Sequence, residues 1–317
     1  MRWHMSDFTL FGNNLFGDPI TQKKNGVLAE RFEFPPFSVL NAREGAWQER
    51  KRAWLAMGIK SEIGRSKDPA FAGDCFRGTL NHITKGTAVD IIKVFESAGN
   101  TTSIFDPTLC EIIYRWFCPE GGQIVDPFAG GSVRGIVAGL LGYKYHGIDL
   151  RPEQVEANYV QKAEICPDAF VEWVVGDSRE LMDASPDADF IFSCPPYGDL
   201  ERYSDDPADL STMEYHTFIA AYKRIILKCA TKLKPGGMAC FVVGDFRDKR
   251  TGAYRGFVAD TIKAFQDCGM EFYNDAVLIT CVGSLPIRVG KQFVASKKLG
   301  KTHQNVLVFR KPVKKAA

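Results

Sequence analysis

The chain has 317 residues, 45% of them hydrophobic, which is enough to bury one sizeable core together with an accessory segment. No stretch approaches the run of about 20 apolar residues that a membrane helix needs, and the first residues lack the basic-then-apolar order of a signal peptide. Nine cysteines occur without a C-x-x-C pair, which argues against a disulfide framework or a zinc ribbon. We therefore expect a soluble cytoplasmic protein with reduced thiols, no membrane contact and no metal.

Basic residues are concentrated at the C-terminal end. Residues 283–317 contain nine Lys or Arg and no acid, so residues 1–282 carry a net charge of −7 although the whole chain has +2. Such asymmetry is typical of proteins that bind a polyanion, although a lysine-rich end such as RKPVKKAA also serves solubility alone. We interpret the asymmetry as a sign of a nucleic-acid partner.

The N-terminal region, residues 1–85, is irregular in pattern and contains one helical segment, AWQERKRAWLAMG. Helical spacing places Trp47 and Trp54 near one face and the basic residues 50–52 on the other sides, which is usual for a helix packed against a core. We expect residues 1–85 to form an accessory segment that packs on the core or contacts DNA.

From about Thr101 onward, short apolar runs alternate with helical segments. This alternation is typical of βαβ units around a parallel sheet. We therefore expect residues 86–317 to form one α/β domain.

The first βαβ unit, QIVDPFAGGSVRGIVAGLLGYKYHGIDL, has a nucleotide-binding layout. Its first strand ends at Asp126, and Gly130 and Gly131 then let the backbone approach a ligand closely. Its second strand ends at Asp149, where a carboxylate can accept hydrogen bonds from both hydroxyls of a ribose. The unit therefore predicts a site for a nucleoside.

Two other carboxylates narrow the choice of nucleoside. The third strand-like run, FVEWVVGDSREL, reaches Asp177, which could receive the exocyclic amine of an adenine. The turn after the first strand begins with Asp126 and lacks the G-x-G-x-x-G fingerprint of dinucleotide dehydrogenases. Because a carboxylate repels phosphate, Asp126 suits the ammonium and sulfonium of S-adenosylmethionine, the alternative being that it only caps the following helix.

A fourth strand, ADFIF, ends abruptly in SCPPY at the same carboxyl edge of the sheet. Each proline restricts the residue before it to extended geometry and has no N–H, so Cys194 and Pro195 present a rigid rim of carbonyl acceptors. Accepting hydrogen bonds from an exocyclic amine favours its pyramidal, nucleophilic form, and Tyr197 offers a face for a flipped-out base. By itself, Pro-Pro-Tyr could also be a rigid turn.

With DPFAGG, SCPPY, LKPGG and HQNVLVFRK in this order, the chain resembles the amino-group DNA methyltransferases of bacteria and phages over about Ser103 to Lys311. The resemblance implies a Rossmann-like class I methyltransferase. Its mostly parallel sheet would have seven strands, helices on both faces and an antiparallel last strand. It also implies that the segment before the first strand helps to hold the methionine moiety. The expected cofactor-binding residues are Ser103, Phe105, Asp106, Asp126, Pro127, Phe128, Gly130, Gly131, Asp149, Leu150 and Asp177. The expected catalytic residues are Ser193, Cys194, Pro195, Pro196 and Tyr197.

Two positions depart from the family pattern. Ser132 stands where the family turn usually has glycine, and a small side chain there is tolerable. Cys194 stands where Asp, Asn or Ser normally accepts from the target amine, and a thiol is a weak acceptor. Either Ser193 helps, or the carbonyls of Cys194 and Pro195 perform the step, or the site is catalytically poor. A nucleophilic Cys194 acting on pyrimidine C5 is disfavoured because that chemistry is associated with a cysteine after the Pro-Pro pair.

The basic segment 283–304 is expected to form a loop that grips phosphates of double-stranded DNA. Its expected contact residues are Arg288, Lys291, Lys297, Lys298 and Lys301.

Together, these features predict an S-adenosylmethionine-dependent DNA methyltransferase acting on adenine N6, with cytosine N4 as the second choice. Such an enzyme would serve restriction–modification or phage DNA modification in a bacterial cell or an infected host. Two alternatives remain open: an RNA base methyltransferase, and a catalytically silent DNA-binding subunit. Monomer and homodimer are equally compatible with the sequence.

Overall fold

The computed structural model describes residues 27–60, 105–198, 203–280, 282 and 285–313. The chain divides into two compact units, Met1–Pro36 and Phe37–Ala317. Among the described residues, the first unit contains one helix, α1 (Val27–Phe32). The predicted boundary between residues 85 and 86 lies outside the described residues.

In the second unit, strands and helices alternate along the chain as the sequence predicts. The strands are β1 (Val39–Asn41), β2 (Gln123–Asp126), β3 (Lys144–Asp149), β4 (Val171–Val175), β5 (Ala188–Ser193), β6 (Leu233–Val243), β7 (Glu271–Ile279) and β8 (His303–Arg310). The helices are α2 (Gly45–Ala56), α3 (Pro107–Phe117), α4 (Val133–Leu140), α5 (Pro152–Ile165), α6 (Ser178–Leu181), α7 (Tyr215–Lys232), α8 (Phe257–Asp267) and α9 (Leu285–Ser296). None of the described helices is long and apolar enough to cross a membrane.

The described strands form one sheet in the order β1-β7-β8-β6-β5-β2-β3-β4. All neighbours are parallel except β8, which is antiparallel to both β6 and β7. From β2 the chain builds outward through β3 and β4, then returns to the other side of β2 to add β5 and β6. The crevice between β2 and β5 is therefore the topological switch point, where open α/β sheets bind ligands. This arrangement confirms the Rossmann-like class I methyltransferase fold.

The sheet has eight described strands, so the expectation of seven is wrong. The additional strand is β1, whose Val39 pairs in parallel register with Val277 of β7. Three residues are too few to display the two-residue alternation by which a strand is recognised in a sequence. The strand that the N-terminal region adds to the sheet could therefore not be recognised in the sequence.

Helices cover both faces of the sheet because successive residues of the central strands point to opposite sides. On one face, Tyr114 of α3 lies edge-on to Phe190 and Phe192 of β5, with ring centroids 6.4 and 5.3 Å apart. On the other face, Tyr222 of α7 packs against Phe241 of β6 at 6.4 Å. These two aromatic layers fix the sheet whose carboxyl edge carries the site.

Helix α2 packs on α3, as the tryptophan spacing predicts. Trp47 and Trp54 are fully buried, with 1% and 0% of their surface exposed. Lys51 lies on the same face and is 7% exposed, although the sequence interpretation placed it with the solvent-facing basic residues. A lysine side chain is rarely buried unless an acidic group pairs with it. The partner of Lys51 is Asp106, which lies 55 residues further along the chain.

Candidate active site

A cavity of about 480 Å³ opens at the carboxyl edge of β2, β3, β4 and β5. It is continuous from the glycine-bearing turn to the Pro-Pro-Tyr rim. The expected site residues that line it are Phe105, Asp106, Pro127, Phe128, Gly130, Gly131, Asp149, Leu150, Asp177, Cys194, Pro195, Pro196, Tyr197 and Lys301. Ser103 lies outside the described residues.

Asp149, at the end of β3, is held in place from two sides. The backbone N–H of Gly130 donates to its Oδ2 at 2.8 Å, and the N–H of Arg151 donates to its Oδ1 at 3.0 Å. Gly130 has a φ of +52°, a conformation that glycine adopts without strain. Because each carboxylate oxygen has more than one lone pair, the fixed Asp149 can still accept from a ligand hydroxyl.

Asp177 follows β4 and caps helix α6, accepting from the N–H of Arg179 at 2.8 Å. The Arg179 guanidinium also pairs with its Oδ2, with a shortest distance of 2.6 Å. This pairing holds the carboxylate at the cavity wall, next to β3 and its Asp149. The strand order therefore places Asp149 between Asp177 and the turn after β2.

Asp126 is placed differently from the sequence interpretation, which turned its carboxylate toward the ligand. The side chain is fully buried, and Arg134 donates to its Oδ2 at 2.5 Å. Tyr145 donates to the same oxygen at 2.8 Å, and Ser193 donates to Oδ1 at 2.6 Å. Burial acts to lower the pKa of Arg134, but the adjacent Asp126 carboxylate outweighs it and raises that pKa. Asp126 is therefore a buried structural residue whose charge is compensated by Arg134. The sequence pattern did not indicate this ion pair.

The guanidinium of Arg134 also shapes the turn. It donates to the carbonyl oxygens of Phe128 and, at 2.9 Å, Ala129, and it lies over the ring of Phe105 at 4.7 Å from the centroid. Ser132, the first departure from the family pattern, is buried and donates to Gln161 Oε1 at 3.0 Å. The turn therefore accommodates a serine there by giving its hydroxyl a partner.

The carboxylate that does line the cavity near this turn is Asp106, which caps α3. Trp47 Nε1 donates to Asp106 Oδ2 at 3.2 Å, and Lys51 Nζ lies at the same distance from that oxygen. Lys51 also lines the cavity. Sequence reasoning missed Lys51 because its contact with Asp106 spans 55 residues.

On the other side of the cavity, Tyr197 is held between aromatic rings and a hydrogen bond. Its ring packs edge-on against Phe246 and Phe257, with centroids 6.3 and 6.2 Å away. Gln304 Nε2 donates to the Tyr197 hydroxyl at 2.7 Å. Burial raises the pKa of Tyr197 well above its usual range, so the phenol stays protonated at neutral pH. Gln304 is a site residue that the sequence did not indicate.

The residues before the prolines separate into one buried and one accessible side chain. Ser193 is 0% exposed and its hydroxyl is committed to Asp126, so it does not face the cavity as an amine acceptor. Cys194 is half-buried and lines the cavity, with its Sγ 4.0 Å from the Tyr197 hydroxyl. As hydrogen-bond acceptors for the target amine, the backbone carbonyls are therefore favoured over the Ser193 hydroxyl.

The basic segment 283–304 is largely helical rather than a loop, because α9 occupies Leu285–Ser296. Proline at the second helical position suits a helix start, so LPIRVGKQFVAS can form regular structure. Lys291 and Lys297 are exposed and Lys298 is half-buried. Arg288 lies in α9, but its side chain lies outside the described part of the structure.

Among the basic residues of this segment whose side chains the structure describes, Lys301 lines the cavity. Burial lowers the pKa of Lys301, and the Asp245 carboxylate opposes that shift. Its ammonium also lies 5.8 Å from the ring centroid of Tyr254. Lys301 therefore links the basic segment to the Tyr197 side of the cavity.

The C-terminal part of the chain, residues 188–316, matches the N6/N4 methyltransferase family, whose description is DNA methylase. The match covers less than half of the chain. The methylase match begins at β5 and includes the Pro-Pro-Tyr rim, Gln304 and the basic segment. Asp149, at the end of β3, and Asp177, just after β4, precede the matched segment.

Individual relatives are distant. The tRNA (guanine(10)-N2)-dimethyltransferase of Pyrococcus abyssi (strain GE5/Orsay) is 37% identical over 78 residues, which are 24% of this chain and 23% of that protein. The chain thus aligns with less than a quarter of that relative's length. TrmN from Thermus thermophilus aligns over 65% of this chain and 49% of its own, with 15% identity and a TM-score of 0.44. A SAM-dependent methyltransferase from Methanosarcina mazei aligns over 64% and 98%, with 17% identity and a TM-score of 0.42.

Proposed function

We propose that the protein methylates the exocyclic amino group of a flipped-out DNA base, with adenine N6 preferred and cytosine N4 second. The observation that carries the proposal is the continuity of one cavity from the Asp149 wall to the Pro-Pro-Tyr rim. A nucleoside cofactor and a planar base can thus meet inside a single enclosure of about 480 Å³.

The cofactor side fits S-adenosylmethionine by the chemistry of its polar groups. Asp149 would accept from the ribose hydroxyls, and Asp177 from the adenine amine. The backbone of Gly130 and Gly131 would lie against the ligand. When bound, S-adenosylmethionine supplies an electrophilic methyl group on its sulfonium sulfur.

On the rim, the carbonyls of Cys194 and Pro195 would accept hydrogen bonds from the two hydrogens of the target amine. Because each residue precedes a proline, its backbone is kept extended, so these acceptors are positioned before the base arrives. Fixed acceptors act by orientation and electrostatics without reorganising during the reaction. Tyr197, clamped by Gln304 and two phenylalanines, would stack on the base.

Nucleic acid would be held by the basic segment. Lys291, Lys297 and Lys298 would neutralise phosphates, while Lys301 would lie closest to the flipped nucleotide. Double-stranded DNA is the proposed substrate because the matched family is one of DNA methylases. The similarity to a tRNA dimethyltransferase favours RNA as the second candidate.

The test is methyl transfer from tritiated S-adenosylmethionine to duplex DNA and to tRNA, followed by nucleoside identification. We expect N6-methyl-2′-deoxyadenosine or N4-methyl-2′-deoxycytidine from DNA, and transfer about 10- to 100-fold weaker in the Tyr197→Ala variant. Methylation of tRNA alone would replace the DNA proposal with the RNA one. No transfer to either substrate by a protein that binds the cofactor would favour the silent DNA-binding subunit.

A further inference from the structure

The segment between β6 and α8, residues 244–256, forms a short hairpin beside the cavity. Its first residues, 244–246, line the cavity on the Tyr197 side. Further along, Arg247 pairs with Tyr254 in an antiparallel bridge, so the chain turns back on itself within a few residues. The 244–256 hairpin is therefore attached to the cavity wall at one end and carries the side chain of Tyr254 beyond it.

The turn of this hairpin is fixed by the carboxylate of Asp248. Its Oδ1 accepts from the N–H of Arg250 at 2.9 Å and from the N–H of Thr251 at 2.6 Å. Its Oδ2 pairs with the Arg255 guanidinium at 3.0 Å. Gly252 completes the turn with a φ of +75°, a conformation that glycine adopts without strain. A ring carried by such a hairpin is held in place before a ligand arrives, which lowers the entropy cost of binding.

Tyr254 is that ring, and an arginine lies against it. The guanidinium carbon of Arg247 is 3.9 Å from the centroid of the Tyr254 ring, and Arg247 Nη1 donates to the carbonyl of Gly252 at 2.9 Å. The tyrosine nevertheless keeps 46% of its surface exposed. An exposed aromatic ring held over a cation offers a platform on which a planar ligand can stack.

Two lysines of the basic segment meet the same hairpin. Lys301 lines the cavity and has its ammonium 5.8 Å from the Tyr254 centroid, so it lies between the cavity and the ring. Lys298 lies against the turn, because a Cβ added at Gly252 would be only 2.6 Å from its Nζ. An aromatic platform among cations suits a ligand that joins planar rings to anionic groups, as a nucleic-acid strand does.

We propose that Tyr254 stacks on the base next to the flipped-out target base, while Lys298 and Lys301 bind the phosphates between the two nucleotides. A base that leaves the helical stack deprives its neighbour of a stacking partner, and Tyr254 would replace that partner. The inference rests on the proposed function in that a nucleotide enters the cavity. It adds a second stacking site, on a residue that does not itself line the cavity.

The test compares two single strands of equal length by fluorescence anisotropy. Oligothymidylate carries bases, and an abasic oligodeoxynucleotide has the same phosphates without them. We expect Tyr254→Ala to weaken binding of oligothymidylate by about 10- to 100-fold, the value of a stacked base, and binding of the abasic strand by less than about 2-fold. Tyr254→Phe keeps the ring and should retain most of the affinity.

Tyr273→Ala is the matched control. Tyr273 is 47% exposed and its ring lies 4.2 Å from the Arg310 guanidinium, so its surroundings resemble those of Tyr254. It stands near the start of β7, at the end of the sheet opposite the cavity. Its removal should change the affinity for neither strand.

Salt dependence separates stacking from charge. Lys298→Met should reduce the slope of log affinity against log salt concentration by about 0.7, whereas Tyr254→Ala should leave the slope unchanged. An unchanged slope in Lys298→Met would remove Lys298 from the phosphate contacts and overturn that part of the inference.

Equal weakening of both strands by Tyr254→Ala would overturn the stacking inference, since it would mean that Tyr254 only supports the hairpin. Unchanged affinity for both, or no binding of oligothymidylate by the wild type, would also overturn it. If Tyr254→Ala does not fold, Tyr254→Leu provides the same comparison with an apolar side chain that has no ring. Absent methyl transfer with base-dependent binding intact would count against the proposed function and leave the inference standing.

Discussion

Ser193 donates a 2.6 Å hydrogen bond to the carboxylate of Asp126, and both side chains are 0% exposed. Ser193 is the last residue of β5 and Asp126 the last residue of β2, so the contact joins the ends of two neighbouring parallel strands. One of these ends starts the cofactor turn and the other starts the Pro-Pro-Tyr rim. With Arg134 on the same carboxylate, the two halves of the site share one buried anchor.

Breaking this anchor should destabilise the fold. Arg134→Met leaves the Asp126 carboxylate buried without its cation, and we expect the free energy of unfolding to fall by about 3–5 kcal/mol. Urea denaturation measures the loss. Lys263→Met removes an exposed ion pair with Asp267 and should cost less than about 1 kcal/mol. Similar losses in the two variants would show that the buried ion pair contributes no more to the free energy of unfolding than the exposed one.

Acid should loosen the docking of α2 through Glu111. Burial acts to raise the pKa of Glu111, but the hydrogen bonds and charge of Arg50, with Trp54, outweigh burial and lower that pKa below its usual 4.5. The stabilisation is therefore complete above about pH 4.5 and is lost as the pH falls through the lowered pKa. Urea midpoints measured from pH 7 to pH 3 should fall less steeply for Glu111→Gln than for the wild type, and parallel curves would contradict the prediction.

Asp149→Ala should weaken S-adenosylmethionine binding by about 1–3 kcal/mol, because ribose hydroxyls would be left without their acceptor. Isothermal calorimetry measures the change. Asp168→Ala removes an exposed carboxylate of the same domain and serves as the control. Affinity that is the same in both variants would remove Asp149 from the cofactor site.

Much of this arrangement could be predicted from local sequence. Strand-ending residues such as Asp149 and Cys194 are identifiable because an apolar run stops there, and parallel strands bring such ends to one edge. The glycine turn and the Pro-Pro pair restrict the backbone at their own positions, so their consequences are also local. For these reasons, most of the residues that the sequence indicated as cofactor-binding or catalytic do line the cavity.

The partners of the charged side chains could not be predicted in the same way. Asp126 belongs to a turn that suits a ligand, and only the packing of α4 shows that Arg134 takes its carboxylate. Lys51 meets Asp106 across 55 residues, and Gln304 meets Tyr197 across 107. Spacing along one helix or strand carries no information about such contacts. A buried lysine in a basic run, such as Lys51, therefore looks like its solvated neighbours.

Tyr197→Ala should depress methyl transfer about 10- to 100-fold in kcat/KM while leaving cofactor affinity unchanged, since stacking on a base is worth about 1–3 kcal/mol. Tyr197→Phe keeps the ring and loses only the hydroxyl that accepts from Gln304, so we expect a smaller loss. Tyr273→Ala, at an exposed tyrosine on β7, is the control for general effects of ring removal. Equal loss of cofactor binding and transfer in Tyr197→Ala would indicate a folding defect instead.

Cys194 is where the competing mechanisms differ most. Its side chain reaches the cavity, while Ser193 beside it is committed to Asp126. If the carbonyls of Cys194 and Pro195 activate the amine, the side chain at position 194 matters little, because the following proline fixes the backbone whatever precedes it. If Cys194 is a covalent nucleophile, its thiolate is indispensable.

We therefore expect Cys194→Ser, which adds a better acceptor and keeps the pre-proline geometry, to leave methyl transfer similar or higher. Cys194→Ala should retain a substantial fraction of the activity. Both variants are assayed by tritium transfer after calorimetry has confirmed cofactor binding. Abolished transfer in a folded, cofactor-binding Cys194→Ala protein would refute the carbonyl mechanism. A 5-methylpyrimidine product from the wild type would put the nucleophile in its place, because only covalent attack on the ring makes C5 reactive.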